Sequence, residues 1–230
     1  MPRPAKPLIR YDAVIETSLR IIDTEGLDAF SLPRLARELN VRAPSLYHHF
    51  ADKAEILRGI ARAIVLETRL PDPATTPTWI EWFVGLSLNF REVVLRHRNA
   101  APVLLQFMPR DVLIQTYDNS ARVLAELGVP PAQQVLLLDG MDKLTLGASI
   151  TEAARDPEDA DQVFSRVDPD REPTLALAVQ ESGLSPDQVF AESIRAFLRG
   201  AAPEVPADAP PPGLLLRDGT VGDLDTPTAS

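Results

Sequence analysis

The run Ser45-Leu46-Tyr47-His48-His49-Phe50 gathers a hydroxyl, a phenol and two imidazoles within six residues, and Lys53 follows three positions later. On a helix, Leu46 and Phe50 share an inward face, which leaves Ser45, Tyr47, His48 and His49 to solvent. Hydroxyls and ring nitrogens can bond phosphate oxygens or base edges. A lysine opening the next helix adds its charge to a dipole-positive end suited to phosphate. Two other chemistries compete with a nucleic-acid face. A metal needs convergent ligands, yet adjacent histidines on a helix point about 100° apart, and no carboxylate cluster stands nearby to complete a set, so no metal is expected. Catalysis lacks parts: with no cysteine and three histidines, a nucleophile outside the His48-His49 pair would have to use His97. His97-Arg98-Asn99 reads as a surface helix end. Spacing alone fits a compact helical corner over Ser31–Phe50 equally well.

Charge argues against a nucleic-acid face until it is counted by region. The 230 residues carry a net charge of −10, but residues 1–70 hold 11 Lys and Arg against 9 Asp and Glu, a net of +2. Residues 71–230 hold 12 against 24, a net of −12. Only the N-terminal segment suits a phosphate backbone. A hydrophobic fraction of 45% supports a core, and the absence of cysteine excludes disulfides, a thiolate nucleophile and cysteine-ligated zinc or iron–sulfur sites. No run of apolar residues is long enough to span a bilayer, and the start MPRPAKPLIR has no apolar leader. A cytoplasmic protein with no membrane partner is expected.

The elements that must position the SLYHHF run are short helices. Tyr11, Ile15, Leu19 and Ile22 form an apolar stripe that Gly26 closes. Ser31 is an N-cap with Pro33 in the first turn, and Leu35, Ala36 and Leu39 form a buried face. Asn40-Val41-Arg42 makes a tight turn, with Asn40 tolerating positive φ, and a helix over Ala43–His49 follows. Asp52-Lys53-Ala54-Glu55 reads as a capping box that opens a helix through Leu66. Two short helices joined by a three-residue turn match the helix-turn-helix geometry that places a recognition helix in the major groove. After Pro71, Pro73 and Pro77, helical periodicity returns over Trp79–Arg96, Asp111–Leu127, Pro131–Arg155 and Ser185–Arg199. No alternating strand pattern occurs. The chain therefore reads as all-α: a DNA-binding domain over 1–70, a ligand-binding and dimerisation domain over 71–200, and a Pro-rich tail over 201–230. Residues 156–173 read as a mobile connector and the tail as largely disordered.

The stretch SLPRLARELNVRAPSLYHHFADKAEIL resembles the DNA-binding region of tetracycline-repressor (TetR) family transcription regulators. Its signature is L-A-x-x-L-x-V, a small residue before Leu-Tyr, then His-Phe and a lysine. The resemblance implies DNA contacts from Ser31 and Arg34 at the start of helix two, from Arg42, Ala43, Pro44, Ser45, Tyr47, His48 and His49 across the recognition helix, and from Lys53. Pro33 and Ala43 stand where relatives often carry longer polar side chains.

Fainter similarity extends into WIEWFVGLSLNFREVVLRHRNAAPVL and LDGMDKLTLGASITEAARD, which look like the ligand-binding and dimerisation core of the tetracycline-repressor subgroup. The likeness spans roughly residues 10–200. It implies a homodimer in which Pro131–Arg155 and Ser185–Arg199 of two subunits form a four-helix bundle. In relatives an asparagine, a histidine and an arginine hold the polar drug and its magnesium; by this alignment Leu86, Leu104 and Met108 stand there. Hard cations need oxygen ligands or an imidazole with waters, so neither tetracycline–magnesium nor any other cofactor is expected. Trp82, Leu86, Phe90, Leu104, Phe107, Met108 and Tyr117 suggest a small hydrophobic or aromatic effector, with Asn89 and Gln106 as orienting groups. The expected function is a ligand-responsive transcriptional regulator, a repressor that binds double-stranded operator DNA and is released by its effector, and not an enzyme. The competing reading is a helical small-molecule-binding protein or enzyme of the same fold without DNA binding.

Overall fold

The computed structural model describes residues 10–72, 75–212 and Val221. Ten α-helices run through the described residues, which contain no β-strand element. Helix α1 (Tyr11–Glu25) buries Ile15, Leu19 and Ile22 along the expected stripe. It stops at Gly26, whose φ of 88° lies in the region that glycine enters without steric cost. Helix α2 (Leu32–Glu38) begins at Ser31, whose Oγ accepts from the Arg34 N–H, and it tolerates Pro33 in its first turn. Asn40 takes φ 52° and turns the chain into α3 (Ala43–Leu46).

Helix α3 is shorter than the expected Ala43–His49. Residues 47–49 continue as a turn, with the His49 and Phe50 N–H groups both donating to the Leu46 carbonyl. Helix α4 (Lys53–Leu66) is capped by Asp52 Oδ1, which accepts from Glu55 N–H at 2.7 Å. Glu55 reaches back to the Ala51 N–H instead of Asp52, so the expected box closes one residue early.

The acidic half is built on α5 (Trp79–Arg96), α6 (Ala101–Phe107), α7 (Arg110–Glu126), α8 (Pro131–Ala153), α9 (Pro173–Ser182) and α10 (Pro186–Ala201). Helices α5, α8 and α10 pack on one another, and α7 lies on α8. Arg91, 6% exposed, ties these three together through Glu152 at 2.5 Å and Asp187 at 2.8 Å. Arg195 of α10 grips Glu81 of α5 in a bidentate pair, both bonds 2.7 Å. Helix α4 contacts α1 on one side and α5 and α6 on the other, so it joins the basic and acidic parts of the chain.

Two helices escaped the periodicity reading. Helix α6 is seven residues long with Pro102 in its first turn, and α9 starts at Pro173, at the end of the expected connector. The tail also departs from the expectation of disorder where it is described. Ala202 and Val205 are buried, and the Trp79 backbone N–H and indole Nε1 donate to the carbonyls of Ala209 and Pro206, each at 3.0 Å. Two otherwise orphaned donors at the start of α5 thereby find acceptors, which is what holds residues 202–212 in place. The remaining tail residues apart from Val221 lie outside the described residues.

Candidate functional site

The face over α3 is built from below. Leu35, Leu46, Phe50 and Ile56 are each no more than 2% exposed and form the floor on which the turn rests. With Leu46 and Phe50 pointing inward, Arg42, Pro44, Tyr47, His48 and His49 are exposed, and Ala43 and Ser45 are half-buried between them. Tyr47 is 57% exposed and presents its phenol to solvent. Among the described residues Arg42 has no ion-pair partner, so its charge faces solvent. Tyr11 of α1 stacks on Phe50 with ring centroids 5.3 Å apart, tying α1 to the turn that follows α3.

The other two expected cations are engaged. Arg34 donates to Glu25 at 3.1 and 2.6 Å and to Glu38 at 2.8 Å, and these bonds, Glu25 first, hold its guanidinium above its ordinary basicity. Lys53 Nζ donates to the Phe30 carbonyl at 2.7 Å and sits 5.2 Å over the Phe30 ring. Its ammonium staples the start of α4 to the residue before the α2 cap.

Further along α4, a cavity of about 80 Å³ opens between α4, α5, α7 and α8. Val65 and Thr68 line one side, and Leu86, Ser87 and Phe90 of α5 another. From α7 come Leu113, Thr116, Tyr117 and Ser120, and from α8 Leu138, Met141, Asp142 and Thr145. Each helix contributes at spacings of three and four, so one face of each looks into the cavity. Tyr117 donates its hydroxyl to Asp142 Oδ1 at 2.8 Å; burial, and then that bond, push its phenol well above the ordinary tyrosine range. Thr145 donates to Ser87 Oγ at 3.0 Å across the α5–α8 contact. Val221 also lines the cavity and donates its N–H to the Thr68 carbonyl at 2.8 Å. Among the described residues no group of three or more His, Asp or Glu side chains could hold a metal, and no helix is long and apolar enough to cross a membrane.

Comparison with known proteins places this architecture. The model of bacterial regulatory proteins of the tetR family matches residues 14–60, and that of the tetracyclin repressor-like C-terminal domain matches residues 70–204. The chain belongs to the TetR family. As a member it is a transcriptional regulator with a helix-turn-helix and a helical C-terminal domain, not an enzyme. The class A tetracycline repressor from transposon 1721 of Escherichia coli is 27% identical over 198 residues, covering 84% of this chain and 91% of the relative. Apo ActR from Streptomyces coelicolor, a protein also solved with actinorhodin, superposes with a TM-score of 0.67 at 25% identity, covering 87% of this chain and all of that one. BioQ, solved with its double-stranded DNA operator, shares the fold at a TM-score of 0.58 and 21% identity, over 82% of this chain and 99% of its own.

Within this TetR-family chain the expected pocket residues divide. Leu86, Phe90, Met108 and Tyr117 stand on the cavity wall. Five do not reach it. Leu104 is fully buried in the core, and Trp82 packs edge-on against Phe83 with centroids 5.2 Å apart. Asn89 is drawn to the Arg69 carbonyl at 2.8 Å, because that carbonyl lies past the end of α4 and needs a donor. Gln106 and Phe107 line a separate groove with Tyr11 and Gly59. Sequence reasoning missed Thr68, Thr116, Ser120, Met141 and Asp142. The available signal was polar residues at helical spacing inside apolar stripes: Thr116 and Ser120 on α7, Asp142 and Thr145 on α8. His97 is no surface end: its Nδ1 meets Asp23 at 2.8 Å and its Nε2 meets Glu67 at 3.2 Å, joining α5 to α1 and to the end of α4.

Proposed function

We propose that this chain is a homodimeric repressor that docks the face from Arg42 to His49 on operator DNA and is released when a small hydrophobic or aromatic effector fills the cavity on α4. The observation that carries the reading is the span of α4. Its first residue, Lys53, holds the α2 cap beneath the DNA face, and Val65 and Thr68 at its other end line the cavity. Fourteen helical residues make a rod about 21 Å long, so a shift at one end moves the other. An effector that fits only one position of α4 changes the separation of two recognition turns, which must lie about 34 Å apart to enter successive major grooves.

A second copy is supported by two helices. On α8, Leu137 is buried within the chain, yet Val135, Leu136 and Leu144 are 68%, 56% and 39% exposed. A helix apolar on both sides needs a partner on each. Helix α9 buries no residue of its own and presents Leu175, Leu177 and Val179. The DNA complex of BioQ and the ligand complex of ActR support the partner classes for the fold.

The test is anisotropy titration of the full chain against DNA from upstream of its own gene, with sedimentation to read the oligomer. Tight, salt-sensitive binding by a dimer is expected, with Tyr47→Ala weakening it. A monomer at micromolar concentration, or binding that Tyr47→Ala leaves unchanged, overturns the reading.

A further inference from the structure

The cavity wall carries a polar chemistry that selects among ligands. Thr68 Oγ1 and Thr116 Oγ1 are buried without a hydrogen-bond partner, on residues 2% and 8% exposed. The hydroxyls of Ser149 and Thr151 on α8 behave differently, each donating to the backbone carbonyl four residues back. Thr116, in the middle of α7, has forgone that bond, and both orphaned hydroxyls lie on the cavity wall. Buried hydroxyls are expensive to leave unpaired, so each marks a point on the wall where a ligand's polar atom can bond.

The electrostatics narrow the class. Among the described lining residues Asp142 is the sole charged group; no lysine, arginine or histidine joins it. Resting on the regulator reading above, we infer that the cavity selects an aromatic ligand bearing an amine or a hydroxyl, neutral or cationic, and rejects carboxylates. A carboxylate here would face Asp142 with no cation among the described lining residues to offset the repulsion, in surroundings where charges are poorly screened. A protonated amine gains a charge-assisted hydrogen bond to the same group, and a hydroxyl can satisfy Thr116 or Thr68. Phe90 and the pliant side chains of Met108 and Met141 supply the contacts to the ring.

Three probes that share one benzene ring, the size the cavity can seat, test this: benzylamine, benzyl alcohol and benzoate, titrated calorimetrically into the full chain without DNA. The amine and the alcohol are expected to bind, and the carboxylate at least about tenfold more weakly than the alcohol. Asp142→Asn, which keeps an acceptor for Tyr117, should bring amine and carboxylate to within about threefold of each other. Thr116→Val should weaken the alcohol about fivefold while leaving toluene unchanged. Equal binding of carboxylate and alcohol, an amine advantage that survives Asp142→Asn, or no binding by any probe overturns the inference. Because DNA is absent, failure here is distinct from failure of the repressor reading, which is judged on operator binding alone.

Discussion

Arg42 and Arg34 stand eight residues apart in the same helix-turn-helix, and the structure separates their roles. Arg42 caps α3 with its guanidinium unpaired among the described residues, whereas Arg34 is clamped between Glu25 and Glu38. Each phosphate that a cation neutralises contributes about −0.9 to the slope of log affinity against log salt. If the proposed homodimer sets Arg42 of each copy on a phosphate, Arg42→Gln loses two such contacts and the slope should flatten by about 1.8. Over a fourfold rise in salt, from about 50 to 200 mM, the wild-type advantage should therefore shrink by about twelvefold. Arg34→Gln should leave the slope near wild type, because its charge is already matched by two carboxylates. Anisotropy titrations at four salt concentrations with one operator fragment measure both. An unchanged slope in Arg42→Gln would remove Arg42 from the phosphate contacts. A drop in Arg34→Gln as large as that in Arg42→Gln would mean that the Glu25–Arg34–Glu38 clamp opens on DNA, and the assignment drawn from its geometry would fail.

Other substitutions probe the frame. At Gly140 of α8 an added Cβ would lie 2.3 Å from Phe197 Cζ of α10, so Gly140→Ala should cost about 1–3 kcal/mol in urea unfolding. Leu104 is fully buried, so Leu104→Asp should lower the melting temperature and abolish DNA binding and effector response together, a result circular dichroism separates from a selective pocket defect. The Arg195 guanidinium, through its hydrogen bonds to Glu81, holds that carboxyl below its ordinary value. The stability this adds is present above the ordinary carboxylate range and is lost as pH falls toward the depressed value, so Glu81→Gln should flatten the acid limb of a stability–pH curve.

What could be read ahead of the structure followed from local rules. Gly26, Ser31, Asn40 and Asp52 are punctuation whose backbone demands are met within a few residues, and the helices between them were legible for that reason. The exposure of Tyr47, His48 and His49 was legible from the four-residue spacing of Leu46 and Phe50 alone. The cavity resisted because its wall is assembled from separate helices whose relative rotation no single stretch encodes. Leu104 and Leu86 look alike in sequence, yet α6 turns the first into the core and α5 the second onto the cavity. The short α6 itself, with Pro102 in its first turn, offers too few turns for periodicity to register. Polar residues carried the better information, because a threonine or an aspartate in an apolar stripe must be explained by a partner. Thr116 and Asp142 sit at such positions on facing helices, and asking what each one bonds would have found the cavity from one side. The same question explains Arg91, whose place among apolar residues of α5 is made tolerable only by Glu152 and Asp187 arriving from two other helices. In an all-helical chain the apolar stripes say where helices bury themselves, and the polar exceptions within them say what they bury themselves against.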